Sequence, residues 1–234
     1  MGVKAAARPV RTSWLAAEVA LVTAAYITVA HLAVASVDAA PALPDYLSAR
    51  EAAVGGVFLV GAIAQLLFVI AAAAVSMPGF REAIRSSWRA APGEAWFIAL
   101  AAGAIQCATI ALFFIPEPAQ IFELSARNGL LSVLAVTDGW SQEVVFRGYV
   151  LLRLAKAGLP VWLQVALSGA AFAAIHVGYI GSDELGVIWP LVGTATLGGV
   201  LALSVIRGKG SLLPAVTAHA LVILIVQPWL ALAT

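Results

Sequence analysis

"AWFIALAAGAIQCATIALFFI", residues 95–115, contains no Asp, Glu, Lys or Arg. A helix of that length rises about 30 Å and crosses the hydrocarbon core of a bilayer. Segments 52–76, 160–182, 185–206 and 211–234 are equally free of those four residue types. A sixth span, 13–37, carries Glu18 near its start and His31 near its end, and a seventh, from about 129 to 157, is the least regular. The reading is an all-α fold, a polytopic membrane bundle of about seven transmembrane helices.

Composition points the same way. Of the 234 residues, 62% are hydrophobic and 11% charged, against about a quarter charged in a soluble domain, and the mean hydropathy is +1.00. A net charge of +1 gives no reason to expect a nucleic-acid partner. Cys107 is the single cysteine, which precludes an intrachain disulfide and makes it a packing residue among apolar neighbours. The first span follows Lys4, Arg8 and Arg11 and precedes "AVASVDAA" (33–40). It is longer than the roughly 7–15 apolar residues of a secretory signal, so it reads as a retained signal-anchor helix.

Basic loops favour the cytoplasm. Lys4, Arg8 and Arg11, then Arg81, Arg85 and Arg89, then Arg153 and Lys156, then Arg207 and Lys209 alternate with the acidic groups Asp38, Asp45 and Glu51, then Glu117 and Glu123, then Asp183 and Glu184. Seven crossings with the N-terminus inside fit that alternation, as expected of a bacterial inner (cytoplasmic) membrane protein. "PALPDYL" (41–47) and "IPEPAQIFELSARNG" (115–129) are outer turns, while "MPGFREAIRSSWRAAPGE" (77–94) is an amphipathic piece on the inner surface. Residues 1–94 form a two-helix membrane region with that basic inner loop, and residues 95–234 form a helical core. "GGVFLVG" (55–61) and "GTATLGG" (193–199) set small residues at helix-packing spacing.

Ionisable groups inside spans need a reason. Glu18 and His31 lie near span ends, within reach of the interface. Asp138 precedes Gly139 and suits the N-cap of a helix starting at Trp140. Glu143 and Arg147 stand four residues apart on one helical face. The helix carrying them descends to a turn near Gly158–Leu159 and the next climbs from Pro160, so Glu143, 16 residues before Leu159, and His176, 17 after it, are level. Phe172 then faces Arg147. His219, 8 residues after Ser211, comes out lower than His176 by more than a turn.

"QEVVFRGY" (142–149), "FAAIH" (172–176) and "HALVI" (219–223) resemble, in order and spacing, the three motifs of the CPBP family. These are the CAAX-protease and bacteriocin-processing, or Abi, glutamic intramembrane endopeptidases. Their pattern is Glu-Glu-x-x-x-Arg, Phe-x-x-x-His and His-x-x-x-Asn/Asp, and the resemblance spans roughly 95–230. It implies that Glu143, Arg147, Phe172, His176 and His219 carry the family roles. A carboxylate and the second-motif His activate water, while the third-motif His and Asn/Asp hold the oxyanion.

Gln142 stands where the first Glu belongs and Ile223 where the Asn/Asp belongs; an amide is no base and an isoleucine no donor. The resemblance then implies His176 as principal base with Glu143, and Gln142 and His219 at water or oxyanion. The expected substrate is a protein or peptide with a membrane-embedded or C-terminal segment, in contact with lipid. A site in the outer half of the bilayer suits exported or anchored proteins better than cytoplasmic prenylated tails. The main alternative is a catalytically inactive scaffold or immunity-type binding protein. No cofactor is expected; Zn²⁺ on Glu143, His176 and His219 and proton-coupled transport rank below both.

Overall fold

The computed structural model describes residues 12–38, 49–75, 79–113, 126–179 and 184–233, and the elements within them are helical. They run α1 (Thr12–Asp38), α2 (Ala49–Ala74), α3 (Phe80–Ser86), α4 (Gly93–Phe113) and α5 (Ala126–Glu143). A π-helical segment (Val144–Val150) continues α5 into α6 (Leu151–Lys156). Then come α7 (Val161–Ala174) with a 3₁₀ extension (Ile175–Tyr179), α8 (Glu184–Arg207) and α9 (Leu213–Ala233). The outer turn at 41–47 and most of that at 115–129 lie outside the described residues, as does Asp183.

Two stretches, Trp14–Ala33 and Gly93–Phe113, are long and apolar enough to cross a membrane. Large apolar side chains such as Trp14, Leu67, Phe97, Phe113 and Trp162 face outward, as they do when lipid rather than water is outside. Polar residues turn inward instead, among them Gln65, Asp138, Ser141, Gln142, Glu143, Arg147, Ser168, Ser204 and His219.

The motif helix, α5 through α6, is the axis of the bundle; Ser141 to Leu151 are all buried. α2 and α9 pack on α5, and α7 and α8 pack on each other. That last contact is close because it is glycine-lined. A Cβ on Gly169 would stand 2.5 Å from the Ala195 carbonyl oxygen and 3.0 Å from the Gly199 nitrogen. The small residues of 193–199 therefore admit α7 at backbone distance.

The hairpin after the motif forms as expected. Gly158 takes φ +75°, its N–H donates to Ala155 O (3.0 Å), and Leu159 N–H donates to Leu154 O (3.3 Å). This left-handed closure satisfies the last carbonyls of α6. Pro160, in extended conformation, opens α7.

Three expectations need correcting. The basic piece 77–94 does not simply lie on the inner surface. Phe80 is fully buried and stacks on Tyr149 at 4.4 Å, and a Cβ on Gly148 would stand 2.4 Å from that of Ala83. Phe80 and Ala83 share a face that wedges α3 against the π segment, while Arg81 and Glu82 stay exposed.

Glu18 turns to the motif helix and is not left unpaired: it accepts hydrogen bonds from the Tyr149 hydroxyl and from both Arg153 Nε (3.0 Å) and Nη2. A charge near the end of an apolar span found its partner on the motif helix. Asp138, lastly, is no N-cap. α5 starts at Ala126 and passes through it without interruption, because Gly139 is tolerated mid-helix where Ile223 packs over it.

Candidate active site

The motif residues converge where α5 meets α9 and the π segment after it meets α7 and α8. Glu143 is fully buried at the last position of α5. Its Oε1 accepts a hydrogen bond from His219 Nδ1 at 2.8 Å and lies 3.0 Å from Arg147 Nη1. The second approach is an ion pair without a hydrogen bond, because the guanidinium nitrogens are off-line for one. The Arg147 guanidinium lies over the Phe172 ring, 4.1 Å from its centre, a cation–π contact strengthened by the burial of both side chains. The expected facing of Arg147 and Phe172 is realised.

Phe172 also separates the two imidazoles. Its ring centre lies 4.8 Å from that of His176 and 5.3 Å from that of His219, both edge-on. His176 begins where α7 tightens into the 3₁₀ turn, and its Nδ1 lies 2.9 Å from Phe172 O. A carbonyl oxygen only accepts, so Nδ1 carries the proton there and a neutral ring presents Nε2 as its lone-pair nitrogen. The same holds for His219, whose Nδ1 faces a carboxylate.

His219 was expected more than a turn below the site, and the direct contact with Glu143 overturns that. The linear count placed the foot of α9 at the level of the Gly158 turn. Instead Leu212 N–H donates to Ser86 O (3.0 Å), and Leu212 Cδ1 comes within 3.1 Å of a Cβ on Gly148. α9 thus starts beside Gly148, five residues from Glu143. Seven residues from Leu212 to His219 rise about 10 Å and five from Gly148 to Glu143 about 7 Å, which brings the two level.

The π segment, Val144–Val150, falls immediately after Glu143, a rare geometry that recurs at functional sites. It turns Glu143, Arg147 and Tyr149 toward different neighbours: α9, the Phe172 ring and Glu18. Ser168 donates to Phe146 O within it at 3.2 Å. Gly198 completes the cradle, since a Cβ there would lie 3.0 Å from both Arg147 Nη2 and Phe172 Cδ1.

A second layer comes from the N-terminal helices, and it escaped the sequence reading. The Tyr26 hydroxyl of α1 donates to Gln65 Oε1 of α2 and lies 3.0 Å from Ser141 Oγ of α5. Ser141 Oγ donates to Asp138 O at 2.8 Å, and Gln142 Nε2 donates to Asp138 Oδ2 at 3.0 Å. The Tyr26 and Phe146 rings meet edge-on at 5.6 Å, and Phe146 meets Phe172 at 5.7 Å. The only sequence signal for this layer was polar residues at 26 and 65 in apolar helices, with nothing to pair them. Ile223, fully buried, sits over Gly139 beside the His219 ring. Among the described residues, no group of three or more His, Cys, Asp or Glu is placed to hold a metal ion.

An acid, a guanidinium and two imidazoles enclosed by apolar helices define a buried site suited to acid–base chemistry. Residues 125–225 match a family model described as type II CAAX prenyl endopeptidase, Rce1-like. That match bears out the resemblance read from the three motifs, and the family is one of membrane-integral proteases. No curated protein matches the chain, and no solved structure does. The matched segment covers α5 to α9 as far as the site and leaves out α1 to α4, which hold Tyr26 and Gln65.

Proposed function

We propose that this protein is an intramembrane endopeptidase that cleaves near the end of a membrane-anchored or exported protein segment. The observation that carries the reading is the Glu143–His219 contact of 2.8 Å, with Arg147 closing the same carboxylate, inside the segment that matches the protease family. In this reading the seven long helical rods cross the bilayer of a bacterial inner membrane, with the N-terminus inside, and residues 95–234 form the catalytic core.

The chemistry follows from the donors and acceptors. His176 orients and polarises a water toward the scissile carbonyl by accepting a hydrogen bond from it. As the oxygen of that water bonds to the carbonyl carbon, charge develops on the carbonyl oxygen. The Gln142 amide supplies a hydrogen-bond donor for it, through the N–H not given to Asp138, where exclusion of water makes such a donor count most. Glu143 holds His219 by its Nδ1–H, so that Nε2 faces the site as an acceptor for the same water, and Arg147 fixes Glu143. The arrangement needs no cofactor.

The test uses purified protein in detergent with two fluorophore–quencher peptides, one ending in a farnesylated Cys-a-a-X sequence and one in an unprenylated apolar anchor. Cleavage of either, lost in His176→Ala and in Glu143→Ala, is the expected result. Cleavage unaffected by both substitutions rules the reading out.

A second reading, an inactive scaffold or immunity-type binding protein, draws on Gln142 and on Ile223, whose apolar side chain stands where the family motif has an amide or carboxylate. It expects no cleavage by the parent and cleavage after Gln142→Glu with Ile223→Asn. A parent that already cleaves removes it.

A further inference from the structure

We propose that Asp138 is the carboxyl group that carries the proton in this hydrolysis, the task that Gln142 cannot perform. The inference rests on the protease reading above.

Asp138 sits in the middle of α5, only 7% exposed. It caps nothing, and no cation is paired with it among the described residues. Its Oδ2 accepts a neutral amide N–H, from Gln142, and its Oδ1 is buried without a hydrogen-bond partner. A carboxyl group enclosed this way costs several kcal/mol unless something polar compensates it, so a purely structural role leaves it unexplained. Its companions share the deficit: Gln142 Oε1 and Glu143 Oε2 are also buried acceptors without partners. The unsatisfied oxygens of Asp138 and Gln142, one turn apart on the same face, are what a bound water, which brings two donors, would answer.

Position supports the same assignment. Asp138 lies one turn before Gln142 on the same helical face, and the amide of Gln142 grips it. A carboxyl function absent at 142 is thus present about 5–6 Å along the helix, held by the residue that replaced it. The neighbouring Gly139 is in the wall of the site: a Cβ there would stand 3.7 Å from the His219 ring. Glu143 has a competing task, since its carboxylate holds both His219 and Arg147 in place, and Asp138 has none.

The step balances without a co-reactant. Water, oriented by His176, forms a C–O bond to the carbonyl carbon. One O–H bond breaks, its proton passing to Asp138 Oδ1, and the carbonyl π pair moves onto oxygen. When the tetrahedral species collapses, the C–N bond breaks and the leaving nitrogen takes that proton from Asp138. A carboxylic acid and an amine result, and Asp138 returns to its starting state.

The experiment compares the parent, Asp138→Asn, the exchange Asp138→Asn with Gln142→Glu, and His176→Ala on the two peptides above. Asparagine keeps shape and an acceptor for Gln142 but cannot carry the proton. The expected loss in kcat is about a hundredfold or more. The exchange, which moves the carboxyl back one turn, is expected to recover to within about tenfold of the parent.

A folded Asp138→Asn protein with parental kcat overturns the proposal, and so does a loss that the exchange fails to recover. If Asp138→Asn does not accumulate, the exchange variant alone decides, since it must cleave. Loss in His176→Ala with no loss in Asp138→Asn leaves the protease reading standing and removes Asp138 alone. A parent that cleaves neither peptide overturns both.

Discussion

Replacing Arg147 with methionine tests whether the buried charge pair organises the site. Arg147 and Glu143 have no exposed side-chain surface, so neither can turn to solvent when its partner is removed. Stripping one member of such a pair costs about 3–5 kcal/mol, because the remaining charge stays buried without compensation. Arg147→Met also removes the cation over Phe172, a contact of up to about 2 kcal/mol when desolvated. Part of that is returned by the methionine stem packing on the same ring.

For a chain of this size each kcal/mol moves the melting temperature by about 2–4 °C, so Arg147→Met is expected to melt about 6–20 °C below the parent in detergent. Glu143→Gln, which strands the guanidinium instead, belongs in the same range. The double variant is the decisive one. With both charges gone, the amide introduced by Glu143→Gln still offers an oxygen to His219. The loss is then expected to be smaller than the sum of the two single losses by at least about 2 kcal/mol. Single losses below about 1 kcal/mol, or losses that simply add, would show that the 3.0 Å approach is incidental to the fold.

Two further outcomes follow from close contacts elsewhere. Gly169→Ala puts a methyl group 2.5 Å from the Ala195 carbonyl, a backbone atom that cannot swing aside. Spreading α7 from α8 is expected to cost about 1–3 kcal/mol, read as a lower melting temperature, and an unchanged one means the helices do not meet there. Glu18→Ala removes the acceptor of Tyr149 and Arg153. An expected loss of about 1.5–3 kcal/mol should come with faster proteolysis after Arg11 or near Asp38 as α1 loosens, and protection equal to the parent contradicts the clamp.

How much of this was legible in the sequence depended on whether a relation was local. The absence of charge over twenty residues marks a helix in an apolar chain, and the described residues of those stretches are mainly helical. Spacing of four gave the Glu143–Arg147 pair, and counting out from a two-residue turn gave the Arg147–Phe172 contact, because α6 and α7 leave that turn from one plane. The same arithmetic failed for His219, since the foot of α9 is set by Ser86 and Gly148, residues no count from Ser211 involves. Glu18 was misread for a related reason: its partners Tyr149 and Arg153 are more than 130 residues away, and only tertiary packing joins them.

Asp138 shows how local chemistry can mislead when the surroundings are apolar. Asp followed by Gly is a helix-start signal in water, where a broken turn is solvated. Inside an apolar bundle, leaving four N–H groups unpaired at a helix start is more costly than carrying a glycine through. The helix therefore continues, and the carboxyl group that would have capped it is left facing the interior. A residue placed there by the economy of backbone hydrogen bonds has no reason to stay acidic unless the acid is used. An amide would satisfy Gln142 equally well and bury no ionisable group, and that difference is what the exchange of Asp138 and Gln142 measures.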